Sequence, residues 1–221
     1  MDPISAFLED NKIPLGKWGK ELFTWLTDSF DWFFDGIASG IEIILEAMID
    51  LMLLPPPVVI IALIAGLAWW LSQSWKIPAI AILCLAFVIN QGLWKETIET
   101  LALVVGAASA SMLIGVPVGI VAAHNEWLFR ILRPILDLMQ TLPTFVYLIP
   151  ALILFGLGLA PGLVTTVIFS IAAPIRLTHL GITSVPKQLI EAGQAFGATK
   201  WQLLKKVELP AAMPTIMAGL T

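Results

Sequence analysis

The sequence predicts an all-α polytopic membrane protein, and three observations predict it. Of the 221 residues, 58% are hydrophobic and only 13% are charged, too few charges to cover a soluble domain of this length. Residues 51–75, 77–94, 100–123 and 138–175 form uncharged runs of 25, 18, 24 and 38 residues. About 20 apolar residues cross a bilayer as a helix, which pairs its own backbone groups internally. Lysine and arginine gather in a few connections, the asymmetry that orients helices in a membrane. The net charge of −4 offers no basic patch for nucleic acid. Cys84, the single cysteine, excludes a disulfide framework within the chain and, inside an apolar run, is expected to be a small buried hydrophobe. The opening MDPISAFLEDNKIP has no basic start followed by an apolar stretch and is not expected to be a signal peptide.

The first element is amphipathic. Between residues 20 and 54 the acids Glu21, Asp28, Asp31, Asp35, Glu42, Glu46 and Asp50 are spaced by 7, 3, 4, 7, 4 and 4 residues. At about 100° per residue they fall within one arc of about 100° on a helix, with Phe, Trp, Ile and Leu around the rest. Such a helix either lies in the membrane interface or packs along the bundle with its acids in water. The acid stripe reads as a solvated face, with ion sensing or attraction of cationic solutes as the functional alternative. Gly36 and Gly40 are placed to break the helix in two.

Pro55, Pro56 and Pro57 end that unit. Crossings are then expected over about 55–70, 77–91, 99–123, 135–155 and 163–182, with GLGLAPG at 156–162 turning the chain inside the longest apolar run. AAMPTIMAGLT opens a sixth. Arg130 and Arg133 in one connection, and Lys187, Lys200, Lys205 and Lys206 in another, place both on the cytoplasmic side, with the uncharged 156–162 turn outside. Counting backward puts Lys76 inside and the acidic helix outside. Through residue 54 that region carries ten acids against three lysines.

The polar stretch IEAGQAFGATKWQLLKKVELP at 190–210 then becomes a cytoplasmic loop with helical punctuation. Pro186 suits a first turn, and residues 188–196 can be helical. Gly197 stands where a helix ends in the left-handed region. Thr199 precedes Gln202 at the spacing of a capping box, and Leu209-Pro210 ends the second short helix at the membrane. The result is a compact knob.

Glu191-Ala192-Gly193, Gly197 after three further residues, and Val207-x-Leu209-Pro210 after nine more resemble the loop of permease subunits in bacterial ABC importers. Gly193 stands where that family has a second alanine, and Val207 where it has isoleucine. Residues 133–158 and 173–186 further resemble permeases for quaternary-amine osmoprotectants such as glycine betaine and proline betaine. The resemblance covers about 95–221 well and the amphipathic unit in outline.

It implies a type I ABC importer transmembrane fold with five crossings plus the start of a sixth. The implied division is an N-terminal amphipathic region at 1–54, two peripheral helices at 55–94, and a C-terminally incomplete permease core at 95–221 with a coupling loop at 184–210. It also implies that the knob docks on a separate ATPase subunit, which binds ATP and Mg while this chain holds no cofactor. Further implied partners are an extracellular, periplasmic or lipid-anchored solute-binding protein and a second permease copy, all at a bacterial cell membrane. The remaining alternatives are another small polar cargo, an ATP-independent channel or secondary transporter, and a membrane scaffold.

Within the membrane, Asp137 is a site candidate because a carboxylate there is costly. Gln140 shares its helical face, and Thr141 and Pro143 follow, so these four are the candidate translocation path. Pro143 and Pro150 are placed to kink the helix. The structural alternative pairs Asp137 with Arg176. Arg176 and His179 are expected to reach toward the interface. Trp69, Trp70, Trp75, Trp94 and Trp127 sit at expected boundaries, where aromatic belts belong, in preference to a cation cage. Gly36/Gly40 and Gly115/Gly119 are weak helix-contact signals. No phosphate loop or His-Glu-x-x-His metal motif occurs, so ATP hydrolysis would belong to a partner and the chain is not expected to be an enzyme.

Overall fold

The computed structural model describes residues 15–220, so the opening segment and its signal-peptide reading lie outside the described residues. Among the described residues every regular element is helical. The helices are α1 (Leu15–Leu53), α2 (Pro57–Ser72), α3 (Lys76–Asn90), α4 (Trp94–Ala123), α5 (Glu126–Thr141), α6 (Thr144–Phe155), α7 (Leu159–Ser170) and α8 (Ala172–Thr183). The polar loop holds α9 (Lys187–Ala195), α10 (Lys200–Leu203) and a π turn over Leu204–Glu208, which runs into α11 (Leu209–Met217).

By length and composition, Trp94–Ala123 and Leu159–Thr183 can each cross a membrane. Two bent pairs, α1 with α2 at 89° and α5 with α6 at 95°, raise that number to four if each is one span. Lys76–Asn90 is apolar but shorter.

α1 continues through Gly36 and Gly40, where an added Cβ would meet nothing within 4 Å. The expected break is therefore misplaced: the backbone leaves helical geometry at Phe30 (φ −125°, ψ 19°). The second half of α1 packs on α4, α6 and α7, while most of its first half is exposed. Ala38, Leu45 and Ile49 are buried, and Ile49 forms a core with Ile98 and Ala102 of α4. The acid arc flanks this buried stripe, so Glu46 and Asp50 share a cleft with Lys95 and Glu99 of α4.

The most extensive helix pair is α4 with α8, and two glycines explain how close it is. A Cβ on Gly115 would stand 2.8 Å from Pro174 Cβ, and one on Gly119 would stand 2.6 Å from Thr178 Cβ. Gly115/Gly119 is thus a real contact face, whereas Gly36/Gly40 is not. Ser111 of α4 and Ser170 of α7 share a hydrogen bond of 2.6 Å, which satisfies two hydroxyls among apolar helices.

Cys84 corrects its expectation: it is exposed on α3. Hydropathy cannot separate a core position from a lipid-facing one, because both are apolar.

The span expected at 135–155 is not one straight helix. α5 starts at Glu126, where the Asn125 side chain accepts from the Leu128 N–H at 3.2 Å, a normal N-cap. It ends at Leu142-Pro143. Pro143 has no N–H, so the Met139 carbonyl loses its helical donor. Tyr147 Oη supplies a replacement, donating toward Met139 O at 3.3 Å and toward Leu138 O at 3.4 Å. A proline and a tyrosine four residues later thus make and then satisfy the bend.

Candidate functional site

The corner of the loop folds as its punctuation predicts, but Leu209-Pro210 does not end the second helix: the chain stays helical from Lys200 through the π turn into α11. Gly197 has φ +77°. Its N–H donates to Gln194 O at 2.9 Å, and that of Ala198 donates to Gly193 O at 3.1 Å. These are the two bonds of a Schellman end, which requires the left-handed residue that glycine supplies without a Cβ penalty. Thr199 Oγ1 accepts from the Gln202 N–H at 3.3 Å, and Gln202 Oε1 accepts from the Thr199 N–H at 2.8 Å, a complete capping box.

A Cβ on Gly193 would lie 2.6 Å from Leu203 Cδ2 and 3.6 Å from Val207 Cγ2, so α9 presses against the helix after the corner. Glu191 and Ala192 are exposed, Gly193 and Val207 half-buried. Leu209 packs beside Ile182, Ala212 and Ile216, and Pro210 opens α11 in a first turn that tolerates it. Two aromatic rings stand out among the polar residues of the knob: Phe196 is 92% exposed and Trp201 68%.

Sequence reasoning missed how the knob is rooted. Before Pro210 the helical ladder slips by one residue, so the Leu209 N–H donates to Leu204 O. Pro210 has no N–H for the Lys206 carbonyl, and a π turn is the local adjustment. Glu208, only 8% exposed, points from this turn to His124 at the end of α4, with Oε2 2.9 Å from Nε2. His124 Nδ1 lies 2.9 Å from Ile120 O. A carbonyl can only accept, so Nδ1 carries a proton, and the His124–Glu208 contact needs a second. The only sequence signal was a carboxylate beside Leu-Pro; its partner is 84 residues away.

Asp137 and Arg176 meet as the structural alternative proposed, with Nη2 donating to Oδ1 at 2.6 Å. Both are partly solvent-accessible (55% and 34%), while Arg176 Nε is buried without a partner. Gln140, Thr141 and Pro143 are exposed beside Asp137 at the end of α5. His179 stacks on Phe129, with ring centroids 3.5 Å apart and planes at 6°, and lines a cleft with Arg130 and Arg133. Among the described residues no group of His, Cys, Asp and Glu could hold a metal ion.

Apolar helices, two bent pairs and an exposed helical knob define a multi-pass membrane protein. Residues 115–221 match the family described as binding-protein-dependent transport system inner membrane component. The glycine betaine transport system permease protein OpuAB of Bacillus subtilis is 42% identical over 209 residues, 95% of this chain and 74% of the relative. The glycine betaine/proline betaine transport system permease protein ProW of Escherichia coli is 43% identical over 219 residues, 99% of this chain and 60% of that relative. The glycine betaine/carnitine transport permease protein GbuB of Listeria monocytogenes is 39% identical over 211 residues, 94% of this chain and 74% of the relative. The chain belongs to this family of ABC importer permeases, a membrane transport component and not an enzyme.

Proposed function

We propose that this chain is the permease subunit of an ATP-driven importer for a compatible solute such as glycine betaine or proline betaine. Its relatives' cargo supports the solute class. The single observation that carries the coupling role is the knob: a Schellman end at Gly197 joined to a complete capping box at Thr199, with two exposed aromatic rings. Glu191, Ala192, Gly193, Gly197, Val207, Leu209 and Pro210 build or present that knob to a separate ATPase subunit, which holds ATP and Mg.

The proposed assembly contains two copies of the permease, two ATPases and a solute-binding protein, in a bacterial cell membrane. Residues 55–94 supply two peripheral crossings, and 95–221 supply a core of three more and the start of a sixth. Loop 184–210 faces the cytoplasm, and the acidic helix α1 lies outside. Asp137, Gln140, Thr141 and Pro143 at the α5–α6 bend line the translocation path. ATP favours one orientation of the path and the loaded binding protein favours opening toward it, so transport is a population shift.

The test is purification of the intact assembly from native membranes in mild detergent, comparing wild type with Gly197→Pro and Glu191→Lys. An ATPase that accompanies wild type and is lost or uncoupled in the variants supports the reading. Folded wild type without any ATPase refutes it. Solute uptake that follows an ion gradient and persists without the ATPase would favour a secondary transporter.

A further inference from the structure

α5 has three faces of different chemistry. Leu132, Leu136 and Met139 pack into a core with Val118 of α4 and Ala172 and Ile175 of α8. Trp127, Ile131, Ile135 and Leu138 form an exposed apolar face. Glu126, Arg130, Arg133, Asp137 and Gln140 recur every three or four residues and share the remaining face, and all five are exposed.

α8 stands across from this polar face. Arg176 donates to Asp137. One and two turns further along α8, His179 and Thr183 join Glu126, Arg130 and Arg133 around a cleft of about 380 Å³, within the range of ligand sites. The cleft also touches Ala123, so the polar lane opens at the ends of α4 and α8 and runs to the α5–α6 bend. Among the described residues neither Arg130 nor Arg133 makes an ion pair, although Glu126 lines the same cleft. With Asp137 and Arg176 paired, two arginines face one carboxylate at the mouth. The mouth is net positive.

Charged side chains within a membrane face protein or water, and not lipid. A dry partner surface pressed on this lane would bury two unpaired guanidiniums, which is costly. Water is the cover that fits. We infer that the lane is the cytoplasmic half of the translocation path and acts as a charge filter for carboxylate-bearing solutes. Arg130 and Arg133 draw in a carboxylate, which a guanidinium fork binds in a directed way, whereas a free cation meets net repulsion. A zwitterion passes with its carboxylate toward the arginines. The inference rests on the importer reading above and adds Arg130, Arg133 and Arg176 to the path, with a rule of selection by charge.

The experiment reads water and potential inside the lane. Cys84→Ala removes the single thiol of the chain. Gln140→Cys or Ile135→Cys then places one thiol at the inner end of the lane or on the apolar face of the same helix. The transporter, assembled with its ATPase and free of nucleotide, is held in nanodiscs of zwitterionic lipid at fixed ionic strength. Two methanethiosulfonates, one ending in a sulfonate and one in a trimethylammonium, modify the thiol, and the mass of the permease reports each rate. Rates are divided by those on a free thiol in solution.

Only a hydrated thiolate reacts, so Gln140→Cys should be modified at least about tenfold faster than Ile135→Cys. At Gln140→Cys the sulfonate reagent should outpace the trimethylammonium reagent by about tenfold. Replacing both arginines, Arg130→Gln with Arg133→Gln, should erase or invert that preference. Arg130→Lys with Arg133→Lys keeps the charge and should hold it within about twofold. Saturating glycine betaine should slow the sulfonate reagent by about threefold or more, since both compete for the arginines. Copurification of the ATPase shows that each variant is folded.

Equal rates at positions 140 and 135, or an anion preference that persists without the two arginines, overturns the lane. Uptake by the Cys84→Ala parent, with binding protein restored, separates the two readings. Glycine betaine uptake without anion preference at Gln140→Cys refutes the filter and leaves the importer standing. No uptake of any quaternary amine refutes the cargo assignment, and the labelling then judges the filter by itself.

Discussion

Replacing Gly119 by alanine tests the central helix packing, with Gly40→Ala as its counterpart. Both glycines lie inside helices and in a Gly-x-x-x-Gly pair. Alanine in a helix interior is worth about 0.8–1 kcal/mol over glycine, so sequence alone predicts that both changes stabilise. The surroundings differ. At Gly40 the new methyl meets nothing within 4 Å, whereas at Gly119 it would stand 2.6 Å from Thr178 Cβ and 2.8 Å from Ile175 O.

Neither of those atoms is the movable end of a side chain, so α4 and α8 must separate. Overpacking a tight interior costs about 1–3 kcal/mol, and here that also loosens the most extensive helix pair of the fold. The expected net loss at Gly119 is about 1–2 kcal/mol, against a gain of about 0.5–1 kcal/mol at Gly40. Equilibrium unfolding in a mild detergent and denaturant mixture measures both. Equal shifts of the same sign at the two sites would refute the reasoning.

Further outcomes follow from the loop, its root and the α5–α6 bend. Glu208→Ala removes the partner of His124 and should cost about 1.5–3 kcal/mol in the same assay. Glu208→Gln should cost much less, because its amide can donate to a neutral His124 Nε2. Gly193→Ala should cost under about 1 kcal/mol, because the obstructing Leu203 Cδ2 is the end of a flexible side chain. Gly197→Val forces a β-branched residue to φ +77°, at about 1–2 kcal/mol of local strain, and should lower solute-stimulated ATPase activity more than global stability. Asp137→Asn keeps an oxygen that accepts from Arg176 Nη2 and should change stability by less than about 1 kcal/mol. A larger loss on unfolding would mean that this pair braces the α5–α6 bend.

Local chemistry made some of this architecture legible before any coordinates. Gly197 and the Thr199/Gln202 spacing announced the knob because left-handed ends and capping boxes are short-range devices. Three prolines marked the end of α1 for the same reason. The α5–α6 corner was half visible: Pro143 signalled a kink, but a bend of 95° depends on Tyr147 satisfying the freed carbonyl. Contacts across the bundle were invisible. Nothing in sequence pairs His124 with Glu208, or tells Gly119 from Gly40. Uniform hydropathy also hid which side of α3 meets lipid, so Cys84 was misplaced. In a membrane protein the apolar surroundings on both sides of a helix erase the inside–outside pattern that marks a soluble core.

The most direct test of the coupling claim is ATP hydrolysis and glycine betaine uptake measured together in proteoliposomes holding the complete assembly, for wild type and Gly197→Val. The account predicts that wild type hydrolyses ATP in step with uptake, and that the variant retains its partner ATPase but loses uptake per ATP. Uptake per ATP unchanged in a folded Gly197→Val assembly would contradict it.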